Sequence, residues 1–147
     1  DGKIFKACIP GGASAAILTA EEMQDVTLDF ECLATKGSML GSGAIMVLDE
    51  SVHMGHMLKV IMDFFSHESC GQCTPCREGT GWLSNIMEGV HEKKASAQDI
   101  DRIYEIAKNM SGKTICALSD AAAGPAMSFV KKYDSELKDY LSNSGVN

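Results

Sequence analysis

Apolar positions change period near residue 51. Before it they come in short runs broken by glycine and proline. Residues 3–9 (Lys-Ile-Phe-Lys-Ala-Cys-Ile) predict a strand stopped by Pro10-Gly11-Gly12. Residues 44–48 (Ala-Ile-Met-Val-Leu), introduced by Gly41-Ser42-Gly43, are an unbroken apolar run of strand length, which predicts a strand buried on both faces. Between them Thr19-Ala20-Glu21-Glu22 has the chemistry to cap a short helix, whereas residues 26–30 alternate as a strand does.

From Ser51 onward the period is helical. Met54, Met57, Leu58, Ile61, Met62 and Phe65 form one stripe on a helix ending near His67. Thr74 is placed to cap a second helix with Pro75 at its first position, and Trp82, Leu83, Ile86, Met87 and Val90 mark its inner face. Ser96 caps a third helix, with Asp99 in the first turn, where a negative charge suits the helix dipole. Ile100, Ile103, Tyr104, Ala107 and Met110 are its stripe, and Ser111-Gly112 stops it. A last helix starting between Asp120 and Pro125 carries Phe129, Val130, Tyr133, Leu137, Tyr140 and Leu141, with fraying expected over 142–145. The predicted class is α+β: a β-rich segment over residues 1–50 and a mostly α four-helix bundle over 51–147.

Composition narrows the chemistry. A chain of 147 residues can bury one core. Its net charge of −7 argues against nucleic acid and anionic membrane as partners. No apolar run approaches the roughly 20 residues of a membrane span, so direct membrane insertion is not expected. No secretory signal is visible, which places the six cysteines in a reducing compartment and favours metal or redox chemistry over disulfides. The opening Asp1-Gly2, without an initiator methionine, reads as part of something longer. Nine methionines at helical spacing read as flexible core filler and Trp82 as a packing anchor. No paired carboxylates or nucleophile–base arrangement emerges, so no catalytic residues are assigned.

The chemistry gathers in His67-Glu68-Ser69-Cys70-Gly71-Gln72-Cys73-Thr74-Pro75-Cys76-Arg77-Glu78-Gly79, with a distant Cys116 in Thr114-Ile115-Cys116-Ala117-Leu118. Cys70, Cys73 and Cys76 fall at intervals of three, so their thiolates can converge on one polynuclear centre that Cys116 closes from the far side. An iron–sulfur cubane takes four such sulfurs. Zinc is the main rival, although its four-cysteine sites are usually two separated C-x2-C pairs, and the zinc reading describes a stapled helical adaptor without redox function. Buried structural thiols are the third reading, which also suffices for Cys8 and Cys32. Pro75 would place Cys76 in a first helical turn, where unpaired N–H groups face the sulfurs. Gly71 would let the backbone approach the centre, with Gly79 and Gly81 thinning the helix beside it. Arg77 either offsets charge near the centre or pairs with a carboxylate. Four cysteine ligands leave no metal open to substrate, which indicates electron transfer.

Residues 67–81 (His-Glu-Ser-Cys-Gly-Gln-Cys-Thr-Pro-Cys-Arg-Glu-Gly-Thr-Gly), followed by Ile-Cys-Ala-Leu at 115–118 and Asp-Ala-Ala-Ala at 120–123, closely resemble the NADH-binding flavoprotein subunit of respiratory complex I. The same module occurs in NAD-linked hydrogenases and formate dehydrogenases. Upstream, residues 9–14 and 37–44 resemble that family's β-grasp (soluble-ligand-binding) insert, which makes residues 1–50 a partial β-grasp segment. The resemblance implies a [4Fe-4S] cluster on Cys70, Cys73, Cys76 and Cys116. It implies electrons arriving from FMN, reduced by NADH in an N-terminal glycine-rich domain that this sequence does not contain. It implies as partners the large iron–sulfur subunit, which receives the electrons, and the small [2Fe-2S] thioredoxin-like subunit. The corresponding location is the peripheral arm, on the cytoplasmic side of the inner membrane or the mitochondrial matrix side. Ser119 departs from a glycine common in the family after Ala-Leu, and Gly124 stands where a bulky residue is frequent.

Overall fold

The structure, a computed structural model, describes residues 2–142 and contains two compact units, Asp1–His53 and Met54–Asn147. It is α+β, with one small sheet and a majority of helix. The fraying expected over 142–145 lies, past Ser142, outside the described residues.

In the first unit β1 (Phe5–Ile9) is the central strand of an antiparallel sheet. It lies between β2 (Leu18–Thr19) and β3 (Met46–Asp49). Cys8 stands opposite Leu18 on one side and Val47 on the other, and the β1–β3 ladder is irregular between Phe5 and Ala7. Ala7, Cys8, Ile9, Ala15, Ile17, Leu18, Leu33 and Leu48 are its buried apolar set. The run at 44–48 is not buried on both faces: Leu48 points inward, but Val47 is 69% exposed and Ile45 is exposed as well. An unbroken apolar run reports hydrophobicity, not the number of layers around it.

The alternating residues 26–30 are not a strand either. A short 3-10 turn (Glu22–Asp25) precedes α1 (Phe30–Thr35), where Asp29 accepts the Cys32 N–H at 2.7 Å as N-cap. A side chain satisfying an otherwise unpaired helical donor outweighs weak alternation. Thr19 and Glu22 do act as a cap, each accepting the other's backbone N–H at 3.2 and 2.8 Å. The turn at Pro10-Gly11-Gly12 interlocks with the one at Gly41. A Cβ on Gly11 would overlap the Met39 carbonyl oxygen, one on Gly41 the Gly11 carbonyl oxygen, and the Gly12 N–H donates to Ala44 at 2.7 Å. Backbone crossing backbone accounts for Gly11 and Gly41, and a φ of +83° for Gly12. Cys8 is buried, which pushes its thiol pKa up, whereas Cys32 is only half-buried and its sulfur accepts the Thr27 N–H.

The second unit comprises α2 (Met54–Glu68), α3 (Thr74–His91), α4 (Ala97–Met110) and α5 (Leu118–Ser142). α2 packs on α3 and α5, α4 packs on α3 and α5, and α3 also touches α5. The buried faces repeat at helical spacing: Met54, Leu58, Ile61, Met62 and Phe65 on α2; Leu83, Met87 and Val90 on α3; Ile100, Ile103, Ala107 and Met110 on α4. Ser96 and Asp99 form a reciprocal capping box on α4. Trp82 is 55% exposed, so it is not a packing anchor. The inner face of α3 instead runs through Cys76, Gly79, Thr80 and Leu83. α5 starts at Leu118, earlier than 120–125, takes Pro125 within it, and departs from helical geometry at Tyr133 (φ −128°, ψ 24°). Lys59 on α2 pairs with Asp63 at 2.6 Å and Glu88 of α3 at 2.7 Å, and Ser84 donates to Asp63 at 2.7 Å. Burial works to raise the Asp63 pKa, but these donors prevail and hold it below the ordinary carboxylate value.

Candidate metal centre

Two interhelical links carry the cysteines. In the first, Ser69 closes the last turn of α2, donating its N–H to Phe65 O at 3.1 Å, and the chain reverses at Gly71 with φ +76°. That left-handed conformation costs a side chain but not glycine. Cys73, rather than Thr74, is the N-cap residue of α3, with extended backbone (φ −90°, ψ 124°) and no capping hydrogen bond from its side chain. Pro75 sits in the first turn, where its missing N–H is not needed, and Cys76 follows it. Cys70 is exposed, Cys73 half-buried and Cys76 only 7% exposed.

In the second link, between α4 and α5, the Asp120 carboxylate accepts the Gly112 N–H at 2.8 Å and Thr114 Oγ1 donates to the Cys116 carbonyl at 2.9 Å. Ser119 is fully buried and donates to Met110 O at 3.3 Å, pinning the end of α4 to the start of α5. Its hydroxyl is thereby satisfied. Cys116 is exposed on this link.

Cys70, Cys73, Cys76 and Cys116 line one cavity of about 140 Å³, together with Glu68, Gln72, Thr114 and Leu118. Among the described residues no three His, Cys, Asp or Glu side chains are gathered around a single-ion position. The sulfurs wall a space far larger than the roughly 10–15 Å³ one water requires, so the four-thiolate donor set has room for a polynuclear group.

Several contacts around the turn are not evident from spacing. Arg77 donates to Gly71 O at 2.7 Å, to Glu78 at 3.0 Å and to Thr74 Oγ1 at 3.5 Å, so it braces the cysteine turn against α3. Ser69 Oγ lies 3.3 Å from Cys76 Sγ, and Thr80 Oγ1 donates to the Cys76 carbonyl at 2.8 Å. The hydroxyls beside ligand candidates are the available signal for these roles. Gly79 serves a different purpose from thinning the wall: a Cβ there would strike the Met110 side chain on α4. A Cβ on Gly81 would meet nothing within 4 Å. His67 is exposed and paired with Glu68 at 2.9 Å.

The model of the NADH-ubiquinone oxidoreductase-F iron-sulfur binding region matches residues 56–140, more than half of the chain. The NADH-quinone oxidoreductase F protein of Rickettsia akari is 42% identical over 142 residues, covering 97% of this chain and 33% of that protein. Its counterpart in Rhodobacter capsulatus is 39% identical over 139 residues, covering 95% of this chain and 32% of the relative. Among solved structures, the NAD+-reducing [NiFe]-hydrogenase in its air-oxidised state matches with a TM-score of 0.83 at 26% identity, over 94% of this chain and 24% of that one. The chain thus spans about a third of the length of these curated relatives. By the match across the cysteine links and the helices that hold them, the chain belongs to the family of the NADH-ubiquinone oxidoreductase-F iron-sulfur binding region.

Proposed function

We propose that this chain is the electron-relay segment of the flavoprotein subunit of an NADH:quinone oxidoreductase, with Cys70, Cys73, Cys76 and Cys116 holding a [4Fe-4S] cluster. The observation that carries this reading is that four cysteines from two separate links line a single cavity. When bound, such a cluster accepts and gives up one electron at a time. The chain's residues hold it. Cys76 binds from a buried position in the first turn of α3, where unpaired backbone N–H groups and the positive end of the helix dipole favour negative charge. Arg77 keeps the first link folded, and Asp120 and Thr114 brace the second. With every corner held by cysteine, no metal is open to substrate, so hydride chemistry belongs to flavin and nicotinamide elsewhere in the full-length subunit.

In this reading residues 1–50 are the remainder of a β-grasp (soluble-ligand-binding) insert and residues 51–147 the cluster domain. Electrons come from FMN, reduced by NADH in an N-terminal domain, and pass to the large iron–sulfur subunit. The small [2Fe-2S] thioredoxin-like subunit is the other neighbour. Among the described residues no helix is long and apolar enough to cross a membrane. The proposed place is the peripheral arm, on the cytoplasmic side of the inner membrane or the matrix side in a mitochondrion. The test is anaerobic reconstitution of the chain. About four iron and four sulfide per chain, with broad visible absorption and a paramagnetic signal on reduction, are expected. Stoichiometric zinc in a colourless protein would overturn the reading.

A further inference from the structure

One polar contact in the cysteine turn is not needed to hold a metal. Ser69 Oγ lies 3.3 Å from Cys76 Sγ, and the same oxygen accepts the Gly71 N–H at 3.4 Å. Neither partner is loosely held. The Ser69 N–H is bonded to Phe65 O in the last turn of α2, and Cys76 sits in the first turn of α3, its carbonyl bonded by Thr80 Oγ1. The cysteine is 7% exposed and Ser69 is half-buried, so water competes weakly for the contact. With Gly71 donating into the hydroxyl oxygen, the hydroxyl hydrogen is the part left to face the sulfur. A metal-bound thiolate has no proton to give, so with Cys76 bound to a metal Oγ–H donates and Sγ accepts.

We propose that Ser69 is a positioning residue that raises the reduction potential of the centre bound by Cys76, through an Oγ–H···Sγ hydrogen bond. This inference rests on the reading of Cys76 as a cluster ligand. A donor aimed at a ligand sulfur interacts more strongly with the more negative, reduced state than with the oxidised one. It therefore favours reduction, and hydrogen bonds to the sulfurs are among the established determinants of such potentials. The backbone bond from Ser69 to Phe65 O anchors the donor to the end of α2.

The experiment is a redox titration of the anaerobically reconstituted chain, followed by the paramagnetic signal, in wild type, Ser69→Ala and Ser69→Thr. Ser69→Ala should retain its iron and show a lower midpoint potential. A tenfold change in the oxidised-to-reduced ratio at fixed potential corresponds to 59 mV for one electron. Ser69→Thr, which keeps the hydroxyl, should stay near the wild-type value, which a purely structural role for Ser69 does not predict. In wild type, brief exchange into D₂O should add a deuteron coupling to the reduced signal. A Ser69→Ala protein with full iron and an unchanged potential overturns the inference. Should that variant lose its iron, absence of the rapidly exchanging deuteron coupling in wild type overturns it instead. If the wild-type chain takes up no four-iron centre, the cluster reading itself fails and this inference with it, an outcome visible before any variant is compared.

Discussion

Arg77 holds the first cysteine link by a fork that only a guanidinium supplies, reaching back to Gly71 O while bonding Thr74 and Glu78 on its own helix. Its side chain is about half exposed, so its worth to global stability is small, at most about 1 kcal/mol. Its effect is local. Arg77→Ala should leave thermal unfolding nearly unchanged, yet speed amide exchange across 69–73 and release iron to a chelator several-fold faster. Arg77→Lys should not restore the wild-type rate, because a single ammonium cannot reproduce the fork. Equal release rates in all three proteins would remove the brace. Two adjacent residues on α3 offer a second contrast. Leu83 is fully buried and Trp82 mostly exposed. Leu83→Ala should cost about 2–5 kcal/mol, whereas Trp82→Ala should cost well under the roughly 3–5 kcal/mol of a core tryptophan. Denaturant unfolding of both variants decides whether Trp82 is surface or core.

At the scale of elements, the seam between α3 and α4 depends on Gly79, whose Cα faces the Met110 side chain closely enough that any Cβ would collide with it. Gly79→Ala should destabilise by about 1–3 kcal/mol through overpacking, despite the gain in helix propensity. Met110→Ala in the same chain should recover part of that loss, and a double-mutant cycle reads the coupling directly. The α2–α3 seam carries a pH-dependent tie through Asp63, held below its ordinary value by Lys59 and Ser84. A lowered folded pKa means the stabilisation is complete above the unfolded value of about 3.9 and is lost as pH falls through the folded one. Asp63→Asn should therefore flatten acid unfolding of the chain in that window. These seams also show what the sequence can reveal. The four long helices are legible because stripes such as Ile100, Ile103, Ala107 and Met110 repeat at 3.6 residues over three turns or more. The gathering of the four cysteines around one cavity is legible because their spacing is chemical rather than conformational. Trp82 is misplaced by periodicity because it lies next to the buried stripe, where the pattern resolves position only to about one residue. The segment 26–30 misleads because five alternating residues are too few to outweigh an Asp29 cap. The roles of Ser69 and Ser119 stay hidden because they depend on which hydroxyl meets which atom across a turn, and spacing alone does not record that.

At the scale of the molecule, the two cysteine links belong to different helix pairs. Cys70, Cys73 and Cys76 join α2 to α3, and Cys116 joins α4 to α5. The glycine-rich turns of the first unit interlock with each other, so the chain should show no saturable FMN binding in a micromolar fluorescence titration and no NADH oxidation. A cluster bridging both links would instead act as a cross-link within the second unit, and metal binding would be coupled to helix packing. Cys116 isolates that coupling. It is exposed, so as an ordinary thiol its replacement by serine should change stability by no more than about 0.5 kcal/mol and leave metal content untouched. As the fourth ligand its loss has two effects at once: the centre keeps only the three sulfurs of the first link, and the second link loses its tether. Cys116→Ser should then yield a three-iron or labile centre with an altered low-temperature paramagnetic spectrum. Amide exchange should rise across 120–141, where α5 depends on the second link for its start. Asp120→Asn should weaken the brace on Gly112 and raise exchange over the same residues without changing iron content, separating loss of the brace from loss of the ligand. An intact four-iron centre and unchanged exchange in Cys116→Ser would leave the cluster with only the first link, and α4 and α5 would then be held by their apolar faces, the Ser119–Met110 hydrogen bond and the Lys138–Asp101 pair, with no metal cross-link between them.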